Sequence, residues 1–89
     1  MSFPLGRVVA TPGALHALED ARQQPAAFLS RHRSRDWGEL PEDDAKANDL
    51  ALEQGTRLLS VYQTTKGERL WIITEADRSS TCILLPEEY

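Results

Sequence analysis

Apolar and small residues recur at helical spacing in the first part of the chain, and this pattern predicts two short helices. Thr11 is a suitable N-cap residue with Pro12 at the first helical position, so we expect a helix to begin there. A second helix is predicted over residues 25–33, again with a proline at its start. Phe28 and His32 lie on one side of that helix and are expected to face the core, with His32 at the boundary.

A third helix is predicted over residues 41–54, with Gly55 as a left-handed C-terminal cap. Ala47, Leu50 and Ala51 form a narrow apolar stripe that we expect to face the core. The opposite side of this helix is charged, and it carries Glu42, Lys46, Asp49 and Glu53 at spacings of four, three and four residues.

Beyond the third helix the period of the apolar positions changes to two, which is typical of strands. Strands are predicted over residues 57–63, 69–74 and 81–85, with a hairpin turn at residues 64–67. They are expected to form a three-stranded antiparallel sheet, and residues 7–10 are a candidate fourth strand. With about three helices packed on one face of this sheet, the predicted fold class is α+β.

Apolar side chains occupy both faces of the predicted strands, so one face is expected to leave Tyr62 or Trp71 partly exposed. An exposed aromatic residue on a sheet can mark a contact surface. Coverage by a loop or by residues 86–89 is the simpler interpretation, since isolated apolar residues are common on protein surfaces.

Length and composition indicate one small globular domain over residues 1–89. The chain is 40% hydrophobic and 27% charged, which is near the average for folded domains. Its apolar runs have the length of strands, which is too short for a membrane span, and its N-terminus lacks the pattern of a signal peptide. We therefore expect a cytoplasmic protein that does not bind a membrane.

The net charge of −4 is concentrated in residues 36–53, here called the acidic block. The first 35 residues sum to +3 and the residues after the block sum to −1, so the block itself contributes −6. Part of this charge lies in the first turn of the predicted helix, where carboxylates complement the helix dipole. The block contains one basic residue, Lys46, and the acidic residues Asp36, Glu39, Glu42, Asp43, Asp44, Asp49 and Glu53.

The sequence offers no persuasive catalytic or metal-binding motif. The two histidines lack a second ligand at metal-binding spacing, and no Gly-x-Ser-x-Gly motif is present. Cys82 lies in an apolar run and is interpreted as a core residue. Residues 75–80 contain Asp77 and Arg78, but a turn held by side-chain to backbone hydrogen bonds is the preferred interpretation of that loop. We expect no cofactor, no metal and no catalytic activity.

Arginines on or beside the second predicted helix could contact nucleic-acid phosphates. The neighbouring acidic block would repel the same phosphates, so pairing between the basic and acidic faces, or ordinary solvation, is the preferred use of these arginines. An acidic helix face can instead imitate a phosphate backbone and bind a basic channel in another protein, although a solvated face without a partner is the simpler alternative. The arginines concerned are Arg22, Arg31, Arg33 and Arg35.

Several stretches carry a resemblance to a known family, namely residues 3–15, Asp36-Trp37-Gly38, Asn48, and residues 57–60, 70–78 and 83–89. Together they resemble a family of small acidic bacterial proteins that are labelled plasmid-related or hypothetical and occur on plasmids and integrative elements. The resemblance covers nearly the whole chain and implies a mobile-element context, without catalytic residues. Small acidic proteins on mobile elements include anti-restriction and anti-CRISPR proteins, which act by binding.

This context favours a non-enzymatic inhibitor of a bacterial defence system, acting as a local DNA mimic. The expected partner is a protein complex with a basic nucleic-acid-binding surface, such as a CRISPR effector or a restriction enzyme, and direct nucleic-acid binding is not expected. The alternative is a small accessory or antitoxin-like module, which dimerises through its sheet face, and a small enzyme using residues 75–80 is a third hypothesis. The predicted partner-binding residues are Asp36, Glu39, Glu42, Asp43, Asp49, Glu53, Trp71 and Tyr62.

Overall fold

The computed structural model describes residues 3–89, and in this part of the chain three helices pack on a four-stranded sheet. The α+β prediction is confirmed, and the predicted ends of the elements differ from the observed ones by at most one residue. The elements are β1 (Arg7–Ala10), α1 (Pro12–Ala21), α2 (Pro25–Arg33), α3 (Glu42–Gln54), β2 (Leu58–Gln63), β3 (Arg69–Thr74), β4 (Ser80–Leu84) and a 3₁₀ helix at Pro86–Glu88.

Local signals in the sequence set the ends of the helices. The Thr11 side chain accepts a hydrogen bond from the backbone N–H of Ala14, which confirms its predicted role as the N-cap of α1. Gly55 takes the left-handed conformation at the end of α3, with φ of 70°, and its N–H donates to the carbonyl of Ala51. These caps satisfy backbone groups that a helix end would otherwise leave without partners.

The sheet is mixed, with the strand order β1-β4-β3-β2. Strands β2, β3 and β4 form the predicted antiparallel arrangement, in which Ile72 lies opposite both Ser60 and Ile83. β1 pairs with β4 in parallel, with Val9 opposite Cys82, so the prediction of an entirely antiparallel sheet is wrong. The reason is the helical crossover after β1, which returns the chain so that β2 runs in the same direction as β1, and β4 shares that direction.

Two hydrophobic clusters fill the space between the helices and one face of the sheet. The larger cluster joins α1 and α2 to the strands and includes Leu18, Phe28 and Ile72. The smaller one lies where α3 meets the sheet and includes Trp37 and Leu58. Burial of these apolar side chains is the main force that holds the helices on the sheet.

A chain of buried hydrogen bonds runs between the two clusters. Thr81 donates its hydroxyl hydrogen to the carbonyl oxygen of Leu5 (2.7 Å), so Thr74 must be the donor to Thr81 (2.8 Å). Nε2 of His32 therefore donates to Thr74 (2.9 Å), and Nδ1 of His32 accepts from Ser60 (2.5 Å). The direction of every bond in the chain follows from the last one.

His32 is completely buried, which corrects its predicted position at the boundary of the core. Burial lowers the pKa of His32 to about 4, and the positive charge of Arg78 acts in the same direction. The imidazole is consequently neutral at pH 7, as the hydrogen-bond chain requires.

Candidate interaction surface

Helix α3 is fixed to the outer edge of β2 by the side chain of Asn48. The amide nitrogen of Asn48 donates to the carbonyl oxygen of Leu59 (2.5 Å), and its amide oxygen accepts from the N–H of Leu59 (3.2 Å). Asn48 thus satisfies both backbone groups of Leu59 that point away from β3. At this position of the edge, a side chain of the helix replaces a neighbouring strand.

The attachment through Asn48 sets which side of α3 faces inward. Asn48 and Ala51 are buried, whereas Ala47 is exposed and Leu50 is 51% exposed. The predicted apolar stripe is therefore wrong for Ala47 and Leu50 and correct for Ala51. The inward side instead carries Ala45, Ala51 and Leu52 beside Asn48, whose two hydrogen bonds to the edge of β2 require its amide to face the sheet.

The loop at residues 34–41 continues the coverage of the β2 edge. The N–H of Glu39 donates to the carbonyl of Val61 (2.7 Å), and the N–H of Val61 donates to the carbonyl of Trp37 (3.1 Å). Gly38 lies between these contacts with φ of +74°, and a Cβ atom there would lie 2.0 Å from the Val61 carbonyl oxygen. The close approach of loop and strand requires glycine at this position.

The indole ring of Trp37 joins this loop to α3. Trp37 is buried, and its Nε1 donates to a carboxylate oxygen of Asp49 (3.1 Å). As a result the exposed carboxylates of loop and helix share one surface, here called the acidic surface, and it includes all six acidic residues predicted to bind a partner. Its members are Asp36, Glu39, Glu42, Asp43, Asp44, Asp49 and Glu53.

Basic residues neutralise part of the acidic surface. Arg31 binds Asp36 at 2.7 Å, and Arg35 lies 3.9 Å from Asp49, so two of the four arginines pair with the acidic face. The hydrogen bond from Arg31 also holds the pKa of the Asp36 carboxyl below its usual value. A third pair joins Lys46 to Glu42 at 3.5 Å. Within residues 3–89, the carboxylates of the acidic surface without an ion pair are Glu39, Asp43, Asp44 and Glu53.

The structure separates Tyr62 from the surface and corrects its predicted role. Tyr62 is only 1% exposed, lies among the core side chains beside Phe28, and donates its hydroxyl hydrogen to the carbonyl oxygen of Asp36 (2.5 Å). Burial raises the pKa of Tyr62 to about 12. This residue cannot take part in a sheet-face contact, and its function is to hold the loop of the acidic surface from below.

Trp71 lies on the sheet face that the helices leave free, away from the acidic surface. The ring of Tyr89 packs edge-on against it with 5.6 Å between ring centroids, so Trp71 is only partly exposed. The hydroxyl of Tyr89 accepts a hydrogen bond from Arg57 (2.8 Å). The C-terminal residues thus cover Trp71, as the simpler interpretation of the sequence predicted.

The loop at residues 75–80 is a turn of the predicted kind. The N–H of Ser79 donates to the carboxylate of Asp77 (3.0 Å), and Arg78 takes a left-handed φ of 61°. The guanidinium of Arg78 donates to the backbone carbonyls of Thr56 and Ala51, at the C-terminal end of α3. Arg78 therefore connects this loop to the helix.

The titratable residues in and beside the core have structural surroundings. Cys82 is only partly buried and lies outside both core clusters, so its interpretation as a core residue is wrong. Desolvation still raises the pKa of its thiol, which keeps it in its unreactive protonated form. The arrangement of Ser60, His32 and Thr74 has the connectivity of a nucleophile with its base, but all three side chains are inaccessible to a substrate. In residues 3–89 no group of three or more His, Cys, Asp or Glu side chains could hold a metal ion.

Comparisons with known proteins add no relative. No protein-family model matches the chain, and neither a curated protein nor a solved structure matches it. The resemblance to plasmid-related proteins stays a prediction. Among the described residues, no helix has the length and apolar character needed to cross a membrane.

Two residues, one beneath this surface and one on it, were missed by sequence reasoning. The pattern predicted no role for Trp37, yet it is the side chain that connects the loop to α3. Leu50 was assigned to the core, yet it lies exposed among the acidic residues of α3. Ala45, Asn48 and Leu52 also recur at helical spacing. This second pattern in the sequence would have predicted the observed orientation of α3.

Proposed function

We propose that the protein is a non-enzymatic inhibitor that uses its acidic surface to occupy the basic nucleic-acid-binding surface of a bacterial defence complex. A CRISPR effector or a restriction enzyme is the expected class of partner, and the protein acts as an anti-CRISPR or anti-restriction protein. The observation that carries this proposal is the exposed side of α3, where Leu50 is 51% exposed on the same side of the helix as the carboxylates of Asp43 and Glu53. An apolar centre with a charged rim is the usual anatomy of a protein interface.

Charge and position support a local mimic of a phosphate backbone. Asp43 and Glu53 lie on the exposed side of α3 and are free of ion pairs within residues 3–89, so they can attract lysine and arginine side chains. The net charge of −4 for the whole chain limits this attraction to one patch. The partner is therefore expected to present a small basic surface rather than a long channel.

Leu50 can add a hydrophobic contribution to binding, which electrostatic attraction alone does not provide. A leucine that is 51% exposed can bury apolar area against a partner, and this burial contributes favourably to the binding free energy. The surrounding acidic residues then contribute mainly to the rate of association and to the choice of partner.

Inhibition of DNA cleavage by purified CRISPR effectors and restriction enzymes tests the proposal. We expect the wild-type protein to inhibit at least one of them, and the triple variant Glu39→Lys, Asp43→Lys and Glu53→Lys to bind about 100-fold more weakly, because like charges facing each other cost several kcal/mol. Leu50→Ala should weaken binding without changing net charge. These positions avoid the hydrogen bonds made by Asp36 and Asp49.

The matched control replaces three exposed glutamates outside the acidic surface with lysine, namely Glu19, Glu68 and Glu87. Both triple variants change the net charge by +6, from −4 to +2, so only the position of the charges differs. The proposal requires the control to inhibit nearly as well as the wild type. Equal loss in both triple variants, or full inhibition by the acidic-surface variant, would refute it, and so would a wild-type protein that inhibits none of these enzymes.

A further inference from the structure

The two edges of the sheet differ in how their backbone groups are satisfied. On β2, the outward groups of Leu59 bond to Asn48, and those of Val61 bond to the backbone of Trp37 and Glu39. That edge is closed at these two positions. An open edge is a ready site for pairing with another strand, and proteins commonly cover or disrupt such edges.

β1 forms the other edge and is open. The N–H groups of Arg7 and Thr11 donate inward to the carbonyls of Ser79 and Ile83, at 2.9 Å in each case. By the alternation of a strand, the backbone groups of Val8 and Ala10 therefore point outward. Residues 3–89 provide no hydrogen-bond partner for these four outward groups. The side chains of Val8 and Val9 are each 44% exposed.

We propose that β1 pairs with β1 of a second copy of this chain, in antiparallel orientation, so that two four-stranded sheets become one continuous sheet. The outward groups fit each other in one register. Val8 lies opposite Ala10 of the second copy and exchanges two hydrogen bonds with it, Ala10 does the same with Val8 of the second copy, and the two Val9 residues face each other at the twofold axis.

The charges around β1 suit this register. Arg7 makes no ion pair with residues 3–89, and in the dimer it lies opposite Thr11 of the second copy. The hydroxyl of Thr11 donates to the carboxylate of Glu88, so each copy brings an acidic group next to the unpaired arginine of the other. By symmetry this contact occurs twice, which favours a second copy over an unrelated strand.

Self-association through β1 is independent of the proposed inhibitory function. Helix α3 lies at the β2 edge of the sheet, and β1 forms the opposite edge. The dimer therefore carries its two acidic surfaces at its two distant ends. A variant that cannot dimerise should still bind through its acidic surface, and the two proposals can fail separately.

The mass of the protein in solution is the first test. Light scattering or sedimentation should show a mass that rises from 10.0 kDa toward twice that value between about 10 µM and about 1 mM, since an interface of this size is weak. Val8→Pro removes an outward N–H and leaves the bonds to β4 intact, so this variant should keep its circular dichroism spectrum and stay monomeric. Val8→Thr retains the N–H and should dimerise as the wild type does.

Crosslinking tests the register without a proline. In a Cys82→Ala background, which removes the thiol opposite Val9 on β4, Val9→Cys places two thiols across the twofold axis at a spacing suited to a disulfide. Mild oxidation should give a covalent dimer from Val9→Cys, and little from the equally exposed Val8→Cys, which faces an alanine. A wild-type mass that stays at 10.0 kDa at every concentration overturns the proposal, as does equal crosslinking of the two variants.

Discussion

His32 is in contact with two aromatic rings and two hydroxyl groups at the place where the core clusters meet. The rings of Phe3 and Trp37 approach it edge-on, with centroids 5.3 Å and 5.6 Å away, and Ser60 and Thr74 occupy its two nitrogens. None of these groups can stabilise a positive charge as water does. The protonation of this one side chain is therefore coupled to the stability of the whole fold.

We predict that the protein loses stability as the pH falls through the range in which unfolded histidine becomes charged. The folded-state pKa of His32 is about 4 and its ordinary value is 6.5, so its contribution is complete above pH 6.5 and declines as the pH falls toward 4. At about 1.4 kcal/mol per pH unit, the free energy of unfolding should fall by about 2 kcal/mol between pH 6.5 and pH 5. Urea denaturation at several pH values measures this loss.

The two histidines provide a matched pair for this prediction. His32→Gln should remove most of the pH dependence between pH 6.5 and pH 5, and His16→Gln, at an exposed position on α1, should retain it. Equal slopes for His32→Gln and the wild-type protein would show that another group is responsible. The nuclear magnetic resonance signals of the His32 ring give an independent reading, since they should not titrate above pH 5.

Single residues were predicted from sequence where one local rule decides their place. Thr11 and Gly55 followed the rules for helix ends, and the side chain of Asp77 formed the expected turn. Tyr62 and Leu50 were placed wrongly, because their burial depends on tertiary partners that no local pattern contains: helix α2 over Tyr62 and the bonds of Asn48 next to Leu50.

At the scale of elements, the attachment of α3 to β2 combines the smaller core cluster with the hydrogen bonds of one polar side chain. Asn48 forms two hydrogen bonds with the backbone of Leu59, while the loop at residues 34–41 covers the next outward pair at Val61. Helix and loop therefore act together as a cover for the strand edge. The acidic surface owes its shape to this arrangement.

We predict that Asn48→Ala lowers the free energy of unfolding by about 2 kcal/mol, because it removes two hydrogen bonds and leaves the backbone groups of Leu59 without partners. Hydrogen exchange should locate the effect. The amide of Leu59 should lose protection, whereas the amide of Val61, which bonds to Trp37, should keep it. Gln54→Ala, an exposed position of the same helix, is the control and should change neither amide; unchanged protection of Leu59 in Asn48→Ala would contradict the prediction.

The order of the helices and strands was predicted correctly from the sequence, whereas the pairing of β1 was not. The change of period after α3 and the prolines at the starts of α1 and α2 were sufficient to locate helices and strands. The parallel pairing of β1 with β4 joins residues far apart in the chain, and it depends on the helical crossover after β1 and on the covered edge of β2. Nothing in the residues of β1 themselves specifies a parallel partner.

At the scale of the whole molecule, two tryptophans report on opposite sides of one sheet. Trp37 is buried in the smaller core cluster, and Trp71 lies under Tyr89 on the other face. The strands between them contribute side chains to both faces of the sheet. Each tryptophan therefore gives a separate signal for the unfolding of its own side.

We predict that the two sides unfold together. In Trp37→Phe the fluorescence of Trp71, and in Trp71→Phe the fluorescence of Trp37, should change at the same urea concentration as the circular dichroism of the same variant, because small single domains unfold in one cooperative step. A change in Trp37 fluorescence that precedes the loss of circular dichroism would show that the loop and α3 form a separate unit. Comparing both signals within one variant removes any effect of the substitution on stability.

The hydrogen-bond chain from Ser60 to Leu5 also determines how substitutions would combine. Its members come from α2, from three strands and from the segment before β1. Each side chain from Ser60 to Thr81 donates a hydrogen bond to the next member of the chain. Replacing Thr74 by valine removes the acceptor for Nε2 of His32 and the donor to Thr81, so a second replacement at either position costs less than it would alone. In their effect on stability these positions behave as one site, and a change at one of them is best tolerated when its neighbours change with it.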